Sequence, residues 1–379
     1  MNERGALAGV RVVELTSYVS GPYAGMLLAD FGAEVIKIEP PERGDPFRGW
    51  GTLDNPFFRS VNRNKKSVAL DLKTSSGVVS ARRLIDQSDG VIENYRTGVL
   101  DRLGLGYDDV RKQNPRLIYC SITGFGNCGP YAQKPGYDTI GQAMGGLLGL
   151  LTDMNDPKPM GVSLSDHLAG LVACNGILAA LCAREKTGTG QRVDTSLLES
   201  TVSFIGENAT RFLEDRQVPS RATRTHSAQV FAFVDGDGLP FVIHLSSPQK
   251  FWDWLLRAIE RPAWNDDKRF CDRKTRIKNY DALQTELSAV FRSGSRQQWL
   301  SRLEREDVPA SPINNLAEVF SDPQVQALGL VARVPHPKHG HVEVIRNGVR
   351  LSETPTSVHS SAPELGQHNS ELLDPVKAP

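Results

Sequence analysis

Short β-branched runs alternate with helical segments along the first 120 residues, and this alternation restricts the fold more than any other feature. Residues 9–15 read as a strand, a helix begins at Pro22 and ends at Gly32, and residues 33–39 read as the next strand. A strand–helix–strand unit of about 30 residues makes its two strands parallel. The pattern recurs through strands predicted at 67–72, 90–94 and 116–122. The sequence therefore predicts an α/β protein with a doubly wound parallel sheet covered by helices on both faces.

The pattern changes in the second half of the chain. Apolar residues at three- and four-residue spacing predict a long helix over 164–184, and a strand and a second long helix follow, reaching about residue 215. Residues 216–227 are polar without an apolar period and read as a linker. A hairpin with a Gly/Asp turn and three helices follow, and we predict that residues 228–325 form a smaller α+β domain.

Composition excludes several classes of protein. Lys plus Arg and Asp plus Glu both number 44, so the net charge is zero, which argues against a nucleic-acid partner bound through overall positive charge. Five cysteines without a C-x-x-C spacing argue against a disulfide scaffold and a zinc ribbon. We see no secretory signal and no run of 18 apolar residues, so we expect a soluble, cytoplasmic protein with no membrane partner.

Asp166 stands at the start of the predicted long helix, in the segment GVSLSDHLAG. An acid at such a place most often caps its helix or offsets the helix dipole. The alternative role is that of a nucleophilic carboxylate. His167 does not share a helix face with it, because side chains one residue apart diverge. On the residues alone, the capping role is favoured.

Two further clusters carry ligand-binding residue types. Basic residues on either side of the 67–72 strand suit a phosphate-bearing ligand, although a solvated loop is the commoner explanation. His336, His339 and His341 have the residue type for zinc, but Pro337 and Gly340 make the segment read as a surface turn. We predict no metal site.

Several segments follow one another in a fixed order along nearly the whole chain. They are LAGVRVVELTSYVSGPYAGMLLADFGAEVIKIEPPERGD, NRNKKSVALDLKT, IENYRTGVLDRLGLGYD, NPRLIYCSITGFG, PGYDTIGQAMGGL, DHLAGLVACNGILAALCAREKTGTGQRVDTSLLES and APELGQHNSELL. Together they resemble the class III CoA-transferase family, which includes formyl-CoA:oxalate and crotonobetainyl-CoA:carnitine CoA-transferases. The resemblance implies a Rossmann-like large CoA-binding domain built from residues 1–215 and 330–379, a small domain at 228–325, linkers at 216–227 and 326–329, and an obligate homodimer of interlocked rings.

The resemblance also assigns site residues. Asp166 matches the catalytic aspartate of the family. The positions that match CoA-contacting segments are Val19, Ser20, Leu72, Lys73, Asn94, Tyr95, Arg96, Arg102, Tyr137 and Asp138. Pro40 stands where several members carry a CoA-binding arginine, and we expect Arg43 to compensate. The implied ligands are an acyl-CoA and a small carboxylic acid, with coenzyme A entering as substrate and no permanently bound cofactor.

The implied reaction moves CoA from an acyl-CoA to a carboxylic acid through a mixed anhydride and an aspartyl-CoA thioester at Asp166. We expect the helix N-terminus to keep the carboxylate ionised and the turn at Gly145 and Gly146 to stabilise the oxyanions. A glycine-rich lid is not visible in 220–240, which argues against oxalate. A dicarboxylic substrate, with succinyl-CoA as donor, is suggested by four arginines of the polar stretch, Arg211, Arg216, Arg221 and Arg224.

Two alternatives stay open. The same superfamily includes 2-methylacyl-CoA racemases, but these place a histidine where Tyr137 stands, and tyrosine is a poor base with a pKa near 10. The third possibility is a non-catalytic CoA-binding protein in which Asp166 only caps its helix.

Overall fold

The computed structural model describes residues 5–50, 55–246 and 249–373. The chain folds into two compact units. The first is formed by the described residues of 1–148, 157–210 and 329–379, and the second by those of 149–156 and 211–328.

Six parallel strands form the central sheet of the first unit, in the order β3-β2-β1-β4-β5-β6. The strands are β1 Arg11–Leu15, β2 Glu34–Glu39, β3 Lys65–Ala69, β4 Gly90–Glu93, β5 Ile118–Thr123 and β6 Arg192–Ser196. This is the Rossmann order, in which the strand sequence reverses between β1 and β4 and opens a crevice at the carboxyl edge of the sheet. The predicted α/β parallel sheet is confirmed, with β3 beginning two residues earlier than expected.

Among the described residues, ten α-helices precede residue 216. They are α1 Ser20–Asp30, α2 Pro56–Asn62, α3 Ser75–Asp86, α4 Val99–Arg102, α5 Tyr107–Val110, α6 Asp138–Met144, α7 Leu147–Leu151, α8 Leu164–Thr187, α9 Leu197–Phe204 and α10 Gly206–Asp215. The second long helix expected to reach residue 215 is two helices, because α9 ends before Ile205, whose N–H closes its last turn.

Helices α1 and α8 pack together on one face of the sheet. The contact is close because α8 presents glycine and alanine there: a Cβ at Gly170 would lie 2.5 Å from the backbone oxygen of Ser20. The shared core contains Ala24 and Leu28 of α1, Ala169, Ala173 and Ile177 of α8, and Val12, Ile92 and Ile118 of the strands. This packing brings the first turn of α8 to the crevice edge.

Helix α8 is long and apolar enough to cross a membrane by length and composition, which differs from the expectation of no such segment. One helix of this kind is weak evidence, since core helices meet the same criterion. Its buried residues belong to the sheet core, while Leu171 and Val172 are exposed in the isolated chain.

The second unit contains a three-stranded antiparallel sheet of β7 Val230–Val234, β8 Pro240–His244 and β9 Ala310–Pro312. Its helices are α11 Arg221–Ala228, α12 Gln249–Ala258, α13 Arg273–Lys278, α14 Tyr280–Phe291, α15 Arg296–Arg305, α16 Leu316–Ser321 and α17 Pro323–Leu328. Its core is aromatic, with Phe231, Phe241, Phe291 and Trp252 fully buried. Residues 216–227 were expected to be a linker without regular structure, but a Ser220–Thr223 capping box starts helix α11 within this stretch.

The first unit ends with the hairpin β10 Val331–His336 and β11 Gly340–Ile345, followed by the short helix α18 Asn369–Leu372. His336 stabilises the hairpin turn, because its Nδ1 accepts hydrogen bonds from the N–H groups of Lys338 and His339 at 3.3 Å each. Within the described ranges, no group of three His, Cys, Asp or Glu side chains is placed to hold a metal ion.

Candidate active site

A cavity of about 190 Å³ opens at the carboxyl edge of the Rossmann sheet, and Asp166 lines it. The walls come from the loop between β1 and α1, the segment after β4, the end of β5 and the start of α9. Ligands of such sheets bind in this crevice, where the strand order reverses. The predicted site residues that line the cavity together with Asp166 are Ser20, Asn94, Tyr95, Arg96 and Tyr137.

Asp166 does not cap its own helix. The N-cap of α8 is Ser163, which makes no side-chain cap hydrogen bond, and Asp166 is the third residue of the helix. Its backbone N–H instead donates to Oδ1 of Asp138, at 3.2 Å. Asp138 begins α6, and its Oδ2 accepts a hydrogen bond of 2.6 Å from Gln142. The capping interpretation of Asp166 is therefore wrong: Asp138 caps α8, and the Asp166 carboxylate is left for the cavity.

The electrostatics of Asp166 differ from the expectation. Burial, reinforced by the neighbouring Asp138 carboxylate, raises the pKa of Asp166 to about 7. We expected the helix N-terminus to favour ionisation, an effect of about 0.3–1 kcal/mol. Loss of hydration and the like charge outweigh it, since both disfavour the charged form. The carboxylate is thus a stronger base than an exposed aspartate, and it is half ionised near neutral pH.

This arrangement predicts a pH profile. If Asp166 reacts as the ionised carboxylate, as the family resemblance implies, kcat/KM should fall as the pH drops through about 7. The Asp138→Asn variant keeps an oxygen for the Asp166 N–H but removes the like charge, so its acidic limb should move to lower pH. The measurement is kcat/KM for acyl-CoA between pH 5 and 9. Asp108→Asn, an exposed site in α5, serves as control, and an unshifted profile in Asp138→Asn would contradict the assigned coupling.

An aromatic group forms another part of the cavity wall. The Tyr18 ring meets the Tyr137 ring edge-on, with centroids 5.9 Å apart, and also contacts Trp50 and Phe47. Burial and the neighbouring Tyr137 raise the pKa of Tyr18, so it stays neutral. Tyr137 is 63% exposed, which leaves its ring available to a ligand.

His167 points away from the aspartate next to it. Its Nδ1 lies 2.7 Å from the Ser163 carbonyl oxygen, and its ring packs edge-on against Tyr23 at 4.7 Å. The expectation that the two neighbouring side chains diverge is met. No imidazole therefore lines the Asp166 cavity in the described part of the chain.

Some predicted CoA-binding residues do not line the cavity, namely Val19, Arg43, Leu72, Lys73, Arg102 and Asp138. Val19 is buried in a cluster with Phe47 and Phe58. Leu72 packs against the core cluster on the other face of the sheet from α1 and α8. Asp138 acts on the site indirectly, as the cap of α8.

The basic members of this set lie at two different places. Lys73 and Arg102 follow β3 and β4 at the same sheet edge as Asp166, outside the cavity wall. Arg43 lines a separate cavity of about 320 Å³ with Arg48 and Lys338. The structure thus does not bring Arg43 next to Asp166.

The expected oxyanion turn is also elsewhere. Gly145 packs against Thr201, where a Cβ would lie 2.5 Å from the threonine Cγ2, and neither Gly145 nor Gly146 is among the cavity-lining residues. Helix α1 begins beside Asp166 instead, and its N-cap Val19 supplies no side-chain acceptor. The first N–H groups of α1 are therefore candidate backbone donors at the cavity, which Ser20 lines.

The arginine-rich stretch has local partners. Arg211 forms an ion pair with Asp215 one turn later, at 3.3 Å, and the Arg216 guanidinium lies over the Phe212 ring. These contacts are those of solvated helix-end arginines. The stretch therefore gives no independent support for a dicarboxylic substrate.

Sequence reasoning missed several cavity-lining residues, namely Ser17, Tyr18, Thr97, Lys134 and Leu197. Ser17 and Tyr18 belong to the loop that follows the first strand, and its position at the sheet edge was the available signal. Lys134 has no anionic partner among the described residues, and its ammonium lies 3.7 Å from the centre of the Tyr131 ring. The described cavity wall thus carries a carboxylate of raised pKa together with the cations of Arg96 and Lys134.

A Rossmann sheet with a partly buried aspartate of raised pKa and two cations at its carboxyl edge is the kind of α/β site that suits an anionic ligand. Comparisons identify the family. The profile of CoA-transferase family III matches residues 7–369, and the chain belongs to this family. The protein is a CoA-transferase, as the sequence analysis predicted.

Relatives span nearly the whole chain. The succinyl-CoA:glutarate CoA-transferase of Mus musculus is 38% identical over 377 residues, covering 98% of this chain and 86% of its own. The succinate–glutarate CoA-transferase of Agrobacterium fabrum is 35% identical over 388 residues, covering 98% and 96%. A CAIB/BAIF family protein from Brucella suis, known by crystal structure, superposes with a TM-score of 0.87 at 34% identity and covers 98% of this chain and 99% of its own.

Proposed function

We propose that this enzyme moves CoA from an acyl-CoA, with succinyl-CoA as the preferred donor, to a small dicarboxylic acid, and that Asp166 is the nucleophile. The observation that carries the proposal is the Asp166 carboxylate, which lies in the crevice while Asp138 takes over the capping of its helix. The names of the mouse and Agrobacterium relatives, which refer to succinate or succinyl-CoA and to glutarate, support the choice of donor and acceptor class.

The proposed reaction has four steps. The Asp166 carboxylate attacks the donor thioester carbonyl, and CoA leaves as a thiolate, giving a mixed anhydride. The thiolate then attacks the aspartyl carbonyl and expels the donor acid as a carboxylate, which leaves an aspartyl-CoA thioester. The acceptor carboxylate attacks that thioester and releases CoA thiolate again, which finally attacks the acceptor carbonyl of the new anhydride. Acceptor-CoA leaves, Asp166 is regenerated, and no proton is consumed overall.

The cavity supplies groups for each part of this reaction. Each tetrahedral oxyanion requires a preorganised donor, and we assign that role to the first N–H groups of α1, because Ser20 lines the cavity. We assign Arg96 to the CoA side, in agreement with the matched family segment. Lys134, on the loop that leads to Tyr137, is assigned to the second carboxylate of the acceptor.

The residues outside the cavity fit the outer part of CoA. Leu72 and Lys73 follow β3, and Arg102 ends α4 after β4, so all three lie at the same sheet edge as Asp166. CoA is a long molecule whose nucleotide end lies far from its thioester, and a cationic residue such as Lys73 or Arg102 suits its phosphates. The role of Arg43 in CoA binding remains a proposal without support from its position.

We also propose an interlocked homodimer and a cytoplasmic location. The dimer follows from the family resemblance, and it is supported by apolar side chains that the isolated first unit leaves exposed, namely Leu171, Val172 and Phe204. The location rests on the sequence argument alone.

A racemase reaction is a weaker proposal for this site. It requires two bases on opposite sides of the substrate α-carbon, and Tyr137 stands where the racemases carry one of them, a histidine. Deuterium uptake at the α-carbon without an acceptor acid would be its signature.

An acceptor screen tests the substrate assignment. With succinyl-CoA as donor, glutarate and malate should exceed valerate and butyrate by at least about tenfold in kcat/KM, because a charged hydrogen bond to the second carboxylate contributes about 1.5–3 kcal/mol. Mass spectrometry of the acyl-CoA products gives the rates. Lys134→Met should remove most of this preference, whereas Lys112→Met, a surface lysine paired with Asp109, should keep it. Equal rates for mono- and dicarboxylates in the wild type would contradict the assignment.

A further inference from the structure

Side chains hold the backbone of the loop between β1 and α1 at three consecutive residues. The Lys37 ammonium donates to the Thr16 carbonyl oxygen at 2.8 Å. The Asn94 amide accepts from the Ser17 N–H and donates to the Ser17 carbonyl oxygen, both at 2.9 Å. Asp45 Oδ1 accepts from the Tyr18 N–H at 3.1 Å. Loops at a sheet edge are usually solvated and mobile, but this one has its polar groups fixed by the protein.

Lys37 is the centre of this arrangement. Its side chain is 0% exposed, and its ammonium donates to the Thr16 carbonyl oxygen and to Glu14 Oε1 at 2.9 Å and forms an ion pair with Asp45 Oδ2 at 2.9 Å. One ammonium therefore joins the end of β1, the loop backbone and the carboxylate that holds Tyr18.

The surrounding charges make this network neutral. The second oxygen of Glu14 pairs with buried Lys65 at 2.7 Å. Glu39 accepts the Asp45 N–H at 3.0 Å and pairs with Arg48 at 2.6 Å. Burial opposes ionisation of Glu39, but Arg48 and Lys37 hold its pKa at about 2. The network thus balances these three carboxylates with three cations, and Asp45 is held in place from both sides.

Tyr18 connects the fixed loop backbone to the surroundings of Asp166. Tyr18 has φ of +63°, a left-handed conformation that is costly for a residue with a bulky side chain and that persists only where neighbours impose it. In this conformation the Tyr18 ring packs on Tyr137. The residue after Tyr137 is Asp138, which binds the Asp166 N–H.

Stability alone does not require a buried lysine at this place. Replacing a buried ion pair with apolar residues of similar volume is often neutral or stabilising, because burial of two charges costs as much as their attraction returns. What an apolar side chain does not provide is a donor for Thr16 and a counter-charge for Asp45. The distinctive contribution of Lys37 is therefore the geometry of the loop.

We propose that Lys37, acting with Asp45, is a positioning residue that sets the conformation of residues 16–18 and, through Tyr18 and Tyr137, the geometry around Asp166. The catalytic part of this role, an effect on CoA transfer, rests on the proposed function. The structural part, the order of the loop, does not depend on which reaction the cavity performs.

The test compares two buried cations. Lys37→Met removes the anchor, while Arg184→Met removes a buried cation at the opposite, amino edge of the sheet, where Arg184 pairs with Asp89 at 3.0 Å. Amide hydrogen exchange of the peptide that contains Tyr18 should rise at least tenfold in Lys37→Met and stay unchanged in Arg184→Met. The kcat should fall about 100-fold in Lys37→Met, because small displacements in a site have effects of that size, and less than threefold in Arg184→Met, with KM for acyl-CoA changing little in both.

The outcomes separate the two proposals. Unchanged exchange at Tyr18 in a folded Lys37→Met protein overturns the positioning role, even where CoA transfer through Asp166 is intact. Increased exchange together with a wild-type kcat overturns its catalytic part. If Lys37→Met does not fold, Asp45→Asn is the second variant: it keeps the volume and removes the counter-charge, and it should show the same rise in exchange and the same fall in kcat. Absence of any Asp166-linked intermediate in the wild type overturns the proposed function. In that case, the hydrogen-exchange result alone still tests whether Lys37 orders the loop.

Discussion

Replacing Asp166 with asparagine is expected to abolish CoA transfer, with kcat lower by at least about 10⁴-fold. Asparagine keeps the shape of the side chain, and its backbone N–H still reaches Asp138, so the loss would report the missing nucleophile and not a disrupted helix. The measurement is a coupled assay with succinyl-CoA and glutarate. Asp108→Asn, an exposed acid of the same unit, should retain wild-type activity.

Trapping the intermediate extends this prediction. Wild-type enzyme incubated with acyl-CoA and then with hydroxylamine should carry a hydroxamate on Asp166 alone, found by peptide mass spectrometry. Label on another carboxylate, or full activity in Asp166→Asn, would refute the role of Asp166.

The Asp166→Asn variant should be more stable than the wild type at high pH. Because the folded state raises the pKa of Asp166 to about 7, far above its ordinary value, ionisation of Asp166 opposes folding at every pH above that ordinary value. The penalty is absent in strong acid, grows up to about pH 7 and is constant above it. Asp166→Asn should therefore raise the melting temperature at pH 8 and leave it unchanged at pH 3.5.

Gly25→Ala is expected to destabilise the protein by about 3–5 kcal/mol, the range found when a buried ion pair is broken. A Cβ at Gly25 would lie 2.1 Å from Glu14 Oε2, the oxygen that pairs with Lys65. Both partners are fully buried, so neither has solvent to move into. Urea unfolding followed by circular dichroism measures the loss.

The control for that substitution is Gly206→Ala. Gly206 begins α10, and a Cβ there would meet no atom within 4 Å. Alanine is also the better helix former, so stability should stay the same or rise slightly. An equal effect of the two substitutions would contradict the steric argument at Gly25.

Local sequence patterns were sufficient to predict the strands and the helix that position the site residues. The β-branched runs predicted β1 and β2, and three- and four-residue spacing predicted α8 with Asp166 in its first turn. Local propensity and side-chain period determine such features, and both can be seen in a single sequence. The family resemblance then assigned Asp166, Asn94 and Tyr137 to one site, and the three residues do line a common cavity.

What the sequence did not reveal depends on distant partners. Lys37 lies in β2 and is buried against Glu14, 23 positions earlier, and the strand pattern that predicted β2 does not show this pairing. The raised pKa of Asp166 depends on its burial and on Asp138, 28 positions earlier, and the backbone N–H of left-handed Tyr18 is held by Asp45. Such pairings form only in the folded chain, and for the same reason proximity in sequence to Pro40 failed to place Arg43 beside the cavity.

Because Asp138 of α6 caps α8, the raised pKa of Asp166 exists only when these two helices have packed together. A chain in which these two helices have not yet met carries an ordinary, hydrated aspartate that is ionised in the cell and a weak nucleophile. Only when the folded chain buries this carboxyl, with the Asp138 carboxylate beside it, does its pKa rise. With Asp166 as the nucleophile that we propose, a newly made or partly unfolded chain would not react with acyl-CoA, because the raised pKa requires the same packing that completes the fold.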